Sequence, residues 1–393
     1  MKLLFSIPSG YHLRELVMPL KSLLEKDASI QEVICLTPGA PYKNELFPAY
    51  GSKFTFINNP KTQEDHQKIL QDLTPTIVIT NTVGLDELDY PILEAAKALF
   101  IPTLTFIASW DNVWKIGRLL KKGQAVSLPD HLIVWNAMMK EHLHKLFPNL
   151  KEDAVSIIGA PRLDYFWQHD QIPTKHQLYK HLNLSDITRP LMHVTTTELY
   201  PLDYIVSSIK KIIEATPISP KPYIYASVHP GGDLKNHINL ETRGAIVRYS
   251  FGRQDSAPLP SFTYNPTLQD QFMLTALFTH ADLLVNHSSS TALESLIGGT
   301  PVINIKYGRP LDWWRWYRSS VYQDFKEHYK DIIKDNATYI VKNKQQLAEA
   351  IQDALRTPTA KKDNAATTIK RMITTVDGTA SQKVLDKIKQ QIA

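Results

Sequence analysis

The chain has 393 residues, 43% apolar and 21% charged. That is enough for two soluble domains with real cores, and it excludes a fibrous or disordered chain. The net charge of +5 is mild and falls in small clusters, such as Lys121 with Lys122, Lys210 with Lys211 and Lys361 with Lys362. No zinc finger or RNA-binding signature accompanies it, so nucleic acid is not an expected partner. A lone cysteine, Cys35, excludes an internal disulfide or a cysteine zinc cage and fits a reducing cytoplasm. No run approaches the ~18 apolar residues that a spanning helix needs.

In chain order, "MKLLFSIP" reads as a buried strand ending in a Pro-Ser-Gly turn. His12, Arg14 and Glu15 follow too soon for a signal peptide. "LRELVMPLKSLLEKD" has apolar residues at helical spacing. "EVICLTPG" and "KFTFINN" are strands, "DHQKILQDL" a helix and "TIVITNT" a strand. "YPILEAAKALF" is a helix, "PTLTFIASW" and "HLIVWN" are strands, and "AMMKEHLHKLF" is a helix. The strand in "DAVSIIGAPRLDYF" closes this half, and a polar stretch over 166–189 reads as a linker with a lead-in helix.

The pattern then restarts. "PLMHVTTT", "YIYASVHPGG", "GAIVRYS", "DLLVNHSSS" and "PVINIKYG" are strands with their following loops. "YIVSSIKKIIEA", "QDQFMLTALFTHA", "TALESLIGG", "QQLAEAIQDALRT" and "SQKVLDKIKQQIA" are helices. Strands alternating with helices of this length predict an α/β fold of two doubly wound, Rossmann-like parallel sheets facing a cleft. Ligands of such sheets sit beyond the carboxyl ends of strands. The loops to inspect are therefore Ser9 to Glu15, Thr80 to Thr82, Ser109 to Asn112, Thr195 to Glu198, His229 to Asp233 and His287 to Thr291.

The last loop opens a helix with Ser288, Ser289, Ser290 and Thr291 in succession. Ser290 or Thr291 suits the N-cap, and Glu294 stands three residues beyond Thr291, as a capping box requires. One cap needs one hydroxyl. Four of them at a helix mouth, with backbone amides and the positive end of the helix dipole, suit a phosphate. His229 ends a strand in "ASVHPGGD", where an imidazole can donate to a phosphate oxygen. Thr196, in "HVTTTE", ends another strand of the same half. Gly298 and Gly299 serve the helix end, and Pro301 stops the helix.

"VHPGGD" together with "DLLVNHSSSTALESLIGGTPVINI" resembles the donor half of GT-B-fold glycosyltransferases. It is similar to the superfamily of CDP-glycerol glycerophosphotransferases, CMP-sugar transferases and UDP-GlcNAc 2-epimerases. "SWDN" at 109–112, "GAPRLDYF" and "RWYRSSVYQDFKEHY" resemble bacterial surface-polysaccharide enzymes of that kind. The resemblance covers roughly residues 100–355. It implies that His229, Pro230 and Ser288 to Thr291 hold donor phosphates, with Glu294 and Thr196 near the nucleotide and ribose. It also implies that 1–165 bind the acceptor and 190–375 the nucleotide donor, with 376–393 as a C-terminal helix. The serine loop departs from the Ser-Gly-Gly of the epimerases. The paired-glutamate ribose motif of retaining enzymes is reduced to Glu294, which favours inversion.

An inverting transfer needs a base, and the family takes it from the N-terminal domain. Asp111 and His12 are the candidates, with Arg14, Glu15, Trp110 and Asn112 as candidate acceptor contacts. Asp111 alternatively caps a turn, and Trp110 alternatively fills core. No motif asks for a metal or a bound cofactor; the nucleotide-activated sugar or glycerol donor is a substrate. The expected acceptor is a glycan or a lipid-linked one. "LDWWRWYRSS" at 311–320 either packs into its domain or meets the inner membrane as a peripheral contact. The expected activity is a glycosyl- or glycerophosphotransferase of envelope polysaccharide synthesis. The alternatives are a 2-epimerase and a non-catalytic nucleotide- or glycan-binding protein.

Overall fold

The computed structural model describes residues 1–392 except 41–45, 48, 61, 82–88, 125, 197–199, 201, 238, 243, 254–256, 258–259 and 310, and the side chains at 89 and 203. Thr82, Thr197 and Glu198 of the expected strand-end loops lie outside the described residues.

The apolar runs of the first half form a seven-stranded parallel sheet. Its strands are β1 (Lys2–Ser6), β2 (Glu32–Thr37), β3 (Phe54–Asn58), β4 (Ile77–Asn81), β5 (Thr103–Phe106), β6 (His131–Val134) and β7 (Val155–Ile157). Their order is β3-β2-β1-β4-β5-β6-β7. Leu3, Leu4, Phe5, Val33, Ile34 and Ile79 are fully buried, because a parallel sheet covered by helices has no wet face. Those helices are α1 (residues 10–26), α2 (Gln63–Leu73), α3 (Asp89–Ala98), α4 (Asn112–Lys121) and α5 (Ala137–Leu146). α1 carries a π-turn over Leu13–Val17. Pro19, two residues past it, has no N–H to return to the turn, so the regular bonding pattern cannot run through here. Thr62 caps α2 by accepting from Asp65 N, and Asn136 caps α5 by accepting from Met139 N.

The second sheet has six parallel strands: β8 (Leu191–Thr196), β9 (Tyr223–Val228), β10 (Ile246–Tyr249), β11 (Leu283–Asn286), β12 (Val302–Ile305) and β13 (Tyr339–Val341). The order is β10-β9-β8-β11-β12-β13. Helices α6 (Lys175–His181), α7 (Asp203–Ala215), α8 (Leu268–His280), α9 (Thr291–Gly298), α10 (Trp313–Arg318), α11 (Ser320–Lys326), α12 (Lys344–Arg356), α13 (Lys362–Ile373) and α14 (Ala380–Gln390) follow in the chain. Ile205 and Ile209 of α7 and Leu347 and Ile351 of α12 bury against Met192, Val194, Ala226, Val285 and Ile303. Each such side chain contributes about 1.5–3 kcal/mol.

The chain divides into two compact units. The first is residues 1–167, 254–267 and 372–393; the second is 168–253 and 268–371. The expected linker at 166–189 is therefore mostly part of the second unit. Its helix α6 starts on a capping box between Thr174 and Gln177. Lys175 pairs with Asp282, and the Tyr179 hydroxyl donates to the Arg189 carbonyl at 2.7 Å. The C-terminal helix α14 belongs to the first unit. Asp164 of "GAPRLDYF" accepts from Ala380 N at 3.2 Å and Ser381 N at 2.7 Å, so this carboxyl caps α14. Burial nonetheless raises its pKa. α4, β13 and α13 have no counterpart among the sequence-predicted elements. The aromatic segment after β12 forms two short helices, α10 and α11.

Candidate functional site

Each sheet reverses its strand order once, between β1 and β4 and between β8 and β11. The carboxyl end beside such a reversal is where open parallel sheets hold ligands. In the second unit, that end is formed by Thr196 after β8 and the hydroxyl loop after β11. His229, after the neighbouring β9, adjoins them: its amide donates to the Thr196 carbonyl at 2.9 Å.

The hydroxyl loop does not make the expected capping box. Ser290 stands at the N-cap of α9 but is already helical, with φ −59° and ψ −21°, and its side chain makes no cap bond. Ser289 serves instead: its Oγ meets Thr291 N at 3.4 Å and Thr291 Oγ1 at 3.1 Å. Ser288 Oγ donates to the Val321 carbonyl at 3.1 Å. Thr291 Oγ1 also accepts from Asn286 Nδ2 at 3.2 Å. Ser288 to Thr291 are all half-buried, at the positive end of a buried helix. Gly299 ends that helix at φ +85°, and Gly298 lies so close to α8 that a Cβ would sit 2.3 Å from the Phe278 carbonyl oxygen. Glu294 is 5% exposed.

His229 is exposed, and its Nδ1 accepts from Gly231 N at 3.1 Å. A neutral ring so held carries its proton on Nε2, which makes that nitrogen the donor. Pro230 is buried, and its carbonyl accepts from Arg253. Thr196 is 3% exposed and its Oγ1 accepts from Leu202 N at 3.1 Å, so this hydroxyl ties β8 to the start of α7.

Beneath the loop lies a polar group that the sequence reading did not single out. Asn304 Nδ2 is 2.6 Å from Asn286 Oδ1, 2.9 Å from the His287 carbonyl and 2.7 Å from the Tyr329 hydroxyl. His287 donates through Nδ1 to the Ile305 carbonyl at 2.7 Å. Burial lowers its pKa to about 4. Its Nε2 has no hydrogen-bond partner among the described residues. Tyr200, Tyr204 and Trp316 surround the ring at 5.7, 6.5 and 5.3 Å between centroids. An asparagine inside the apolar "VINI" strand was the available signal for this network.

In the first unit, the loop after β1 places Ser9 Oγ 2.8 Å from His12 Nδ1. Asn81, at the end of β4, reaches the His12 carbonyl at 3.5 Å, so both sides of the strand reversal meet at His12. Glu15 is held between two guanidiniums: Arg14 at 3.1 Å and Arg162 at 2.8 Å. Arg162 is almost wholly buried, with its guanidinium 5.3 Å from the Trp135 ring centre. These pairs tie Glu15 and Arg14, both partly exposed, into one charge cluster with Arg162. "GAPRLDYF" supplied the third member.

Asp111 follows β5, with β4 between it and β1. Ser109 Oγ donates to its Oδ1, and Lys115 pairs with its Oδ2 at 2.5 Å. Asp111 precedes α4 without capping it through its side chain. Trp110 is 1% exposed, against Trp114 at 6.4 Å, and Asn112 is 4% exposed. An indole buried so completely has no face left for a sugar, so Trp110 is core. Among the described residues no group of three or more His, Cys, Asp or Glu side chains gathers as metal ligands do.

No family model matches the chain, and no curated protein matches it in sequence. Solved structures do match in shape. The UDP-GlcNAc 2-epimerase of Methanocaldococcus jannaschii is 17% identical with a TM-score of 0.64, over 99% of this chain and 100% of that one. The UDP-GlcNAc 2-epimerase of Neisseria meningitidis, bound to UDP-GlcNAc, is 14% identical with a TM-score of 0.63, over 99% and 100%. The wall teichoic acid polymerase TagF, soaked with CDPG, is 15% identical with a TM-score of 0.64, over 100% and 88%. At these identities the likeness shows the fold: an α/β chain of two Rossmann-like units, of the GT-B type that the sequence motifs resemble.

Proposed function

We propose that the protein is an enzyme acting on a nucleotide-activated donor, moving its sugar or polyol phosphate to a polysaccharide or lipid-linked acceptor. One observation carries this reading. The strand reversal of the second sheet is flanked by a hydroxyl loop at a helix N-terminus, and an imidazole with Nε2 as donor stands on the adjoining strand. Those groups suit the two phosphates of a nucleoside diphosphate, where charge builds on the leaving group. Ser290 and His229 Nε2 meet the phosphate oxygens, while Ser288, Ser289 and Thr291 shape the loop. Solved structures of the same fold hold UDP-GlcNAc or CDPG, which fits a donor of this class.

In the first unit, His12 is the stronger candidate base. Ser9 fixes its Nδ1 side, whereas Asp111 is already neutralised by Lys115. A base must be able to reach the acceptor's hydroxyl, and the Asp111 carboxylate is already engaged by Ser109 and Lys115.

A second reading is a 2-epimerase, favoured by the full-length likeness to two UDP-GlcNAc 2-epimerases. It needs no acceptor. The serine loop, with Glu294 the nearest acid in the chain, supports transfer over epimerisation.

The test is thermal unfolding with CMP, CDP, UDP, GDP and ADP in turn, on the wild type and on His229→Ala. A nucleotide at about a hundredfold its dissociation constant raises stability by about 3 kcal/mol. A shift from a diphosphate, lost in His229→Ala, supports the site. No shift from any nucleotide overturns it. Proton NMR of UDP-GlcNAc incubated alone then separates the readings, since inversion at C2 without acceptor is the epimerase outcome.

A further inference from the structure

Residues 311–318 divide into two faces. At ~100° per residue, Trp313, Tyr317 and Trp314 of α10 fall within one arc, Arg318 and Arg315 continue it, and Trp316 lies on the other side. The exposures follow that wheel: Trp316 is 4% exposed, Trp313 65%, Trp314 49% and Tyr317 51%, with Leu311 before the helix at 94%. Trp316 is the anchor. It packs on Tyr200 at 5.2 Å, His287 at 5.3 Å and Tyr322 at 5.6 Å. The other rings are turned out by that anchoring. Among the described residues ten large apolar or aromatic side chains are exposed, and four of them fall within 311–317.

The charge around this face is mildly positive, with Arg315 already paired to Asp312 at 3.2 Å. Residues 309–330 hold five Lys or Arg (309, 315, 318, 326, 330) against three Asp or Glu (312, 324, 327). Arg318 lies 6.0 Å from the Trp314 ring centre and Lys326 4.5 Å from that of Tyr322. Indole and phenol rings flanked by guanidinium groups suit the headgroup layer of a bilayer. A second protein copy suits the face less well. At about 150–250 Å² per aromatic side chain, the exposed parts sum to roughly 500 Å², against about 800 Å² per partner in a stable complex.

We propose that residues 311–318 form a membrane-docking surface. It seats Leu311, Trp313, Trp314 and Tyr317 at headgroup depth and sets Arg315 and Arg318 against anionic lipid. The inference goes beyond the transfer reading. It adds that the acceptor is met at a bilayer surface, and that addition rests on the transfer reading. The buried side of the same helix touches His287, which immediately precedes Ser288, so the docking face and the hydroxyl loop belong to one packed cluster in the second unit.

The test is co-sedimentation of the full chain with vesicles of phosphatidylcholine alone and of phosphatidylcholine mixed with phosphatidylglycerol. The variants are the triple Trp313→Ser, Trp314→Ser, Tyr317→Ser and the double Arg315→Glu, Arg318→Glu. The wild type partitions onto the mixed vesicles, and each variant loses about tenfold or more of that binding. Circular dichroism and the nucleotide thermal shift stay unchanged in both. If the triple variant does not fold, Leu311→Ser with Trp313→Ser gives the same readout. The proposal is overturned by a wild type that stays in solution, by equal binding to both vesicles, or by variants that bind as the wild type does. A wild-type oligomer in vesicle-free buffer that the triple variant makes monomeric also overturns it, in favour of a second copy. Vesicle binding without any nucleotide shift removes the transfer reading and leaves the docking surface standing.

Discussion

Asn304 in β12 and Asn286 at the end of β11 face each other in register and are joined, Nδ2 to Oδ1, at 2.6 Å. The same amide reaches the His287 carbonyl and the Tyr329 hydroxyl, so one side chain sets the strand end from which the hydroxyl loop departs. Replacing it by an apolar residue of similar size takes a hydrogen-bond partner from three buried polar groups. Asn304→Leu is expected to cost about 2–4 kcal/mol, read as a lower urea midpoint. It should also abolish any nucleotide shift in the part that remains folded. An unchanged midpoint would show that the loop is held by something else.

His287 makes the second unit sensitive to acid. Burial lowers its folded pKa to about 4, while an unfolded histidine titrates near 6.5. As pH falls below that value, the unfolded chain takes up a proton that the folded ring refuses. Stability is therefore complete at neutral pH and drains away between about pH 6.5 and 4, by about 3 kcal/mol for this ring. His131 and His193, lowered by burial to about 4 and about 3, act in the same direction. His287→Asn keeps a donor for the Ile305 carbonyl but cannot titrate. Plotted from neutral to about pH 4.5, its stability should fall with a slope smaller by up to one proton. Parallel curves for variant and wild type would contradict this.

Glu15 holds Arg14 and Arg162 in the first unit. Removing the carboxylate takes one ion-pair partner from each of two guanidiniums, one of them almost fully buried. Glu15→Gln is expected to destabilise by about 3–5 kcal/mol. The nucleotide shift in the second unit should survive. If Glu15→Gln keeps full stability and instead raises KM for an acceptor, the residue is an acceptor contact after all.

Gly298 is a packing requirement. A methyl group there would stand 2.3 Å from a backbone oxygen of α8 and 2.7 Å from its carbon, and neither can swing aside as a side chain can. Gly298→Ala should lower the thermal midpoint by more than Ser290→Ala does, by a margin of about 1–3 kcal/mol. Equal midpoints would mean that α8 and α9 can part at little cost.

The parallel sheets were legible because every strand but the short β13 is an apolar run between turn residues, and because the strand-end loops follow from that pattern. The site was legible in part. Four consecutive hydroxyls and a histidine in a Pro-Gly-Gly turn announce themselves locally. The supports did not. Asn304 and Asn286 are 18 residues apart and Arg162 meets Glu15 across 147 residues, pairings that only the register of the sheet and the course of the chain decide. Trp110 shows the reverse error: a tryptophan beside a candidate base looks like a sugar platform until its burial is known. The Ser290 cap failed for a similar reason, since its backbone turns helical one residue early and carries the hydroxyl away from the amides ahead.

The discontinuous first unit has a consequence for how the chain matures. Its last helix docks by Lys389 on Asp27 at 2.7 Å and by the Asp164 carboxyl on the amides of Ala380 and Ser381. On the ribosome, residues 1–167 emerge first but lack these partners until about two hundred more residues have been made. The second unit, complete at residue 371, has all its parts earlier. The half synthesised first is thus finished last, and a released chain ending at residue 371 should expose the first unit to protease while the second resists.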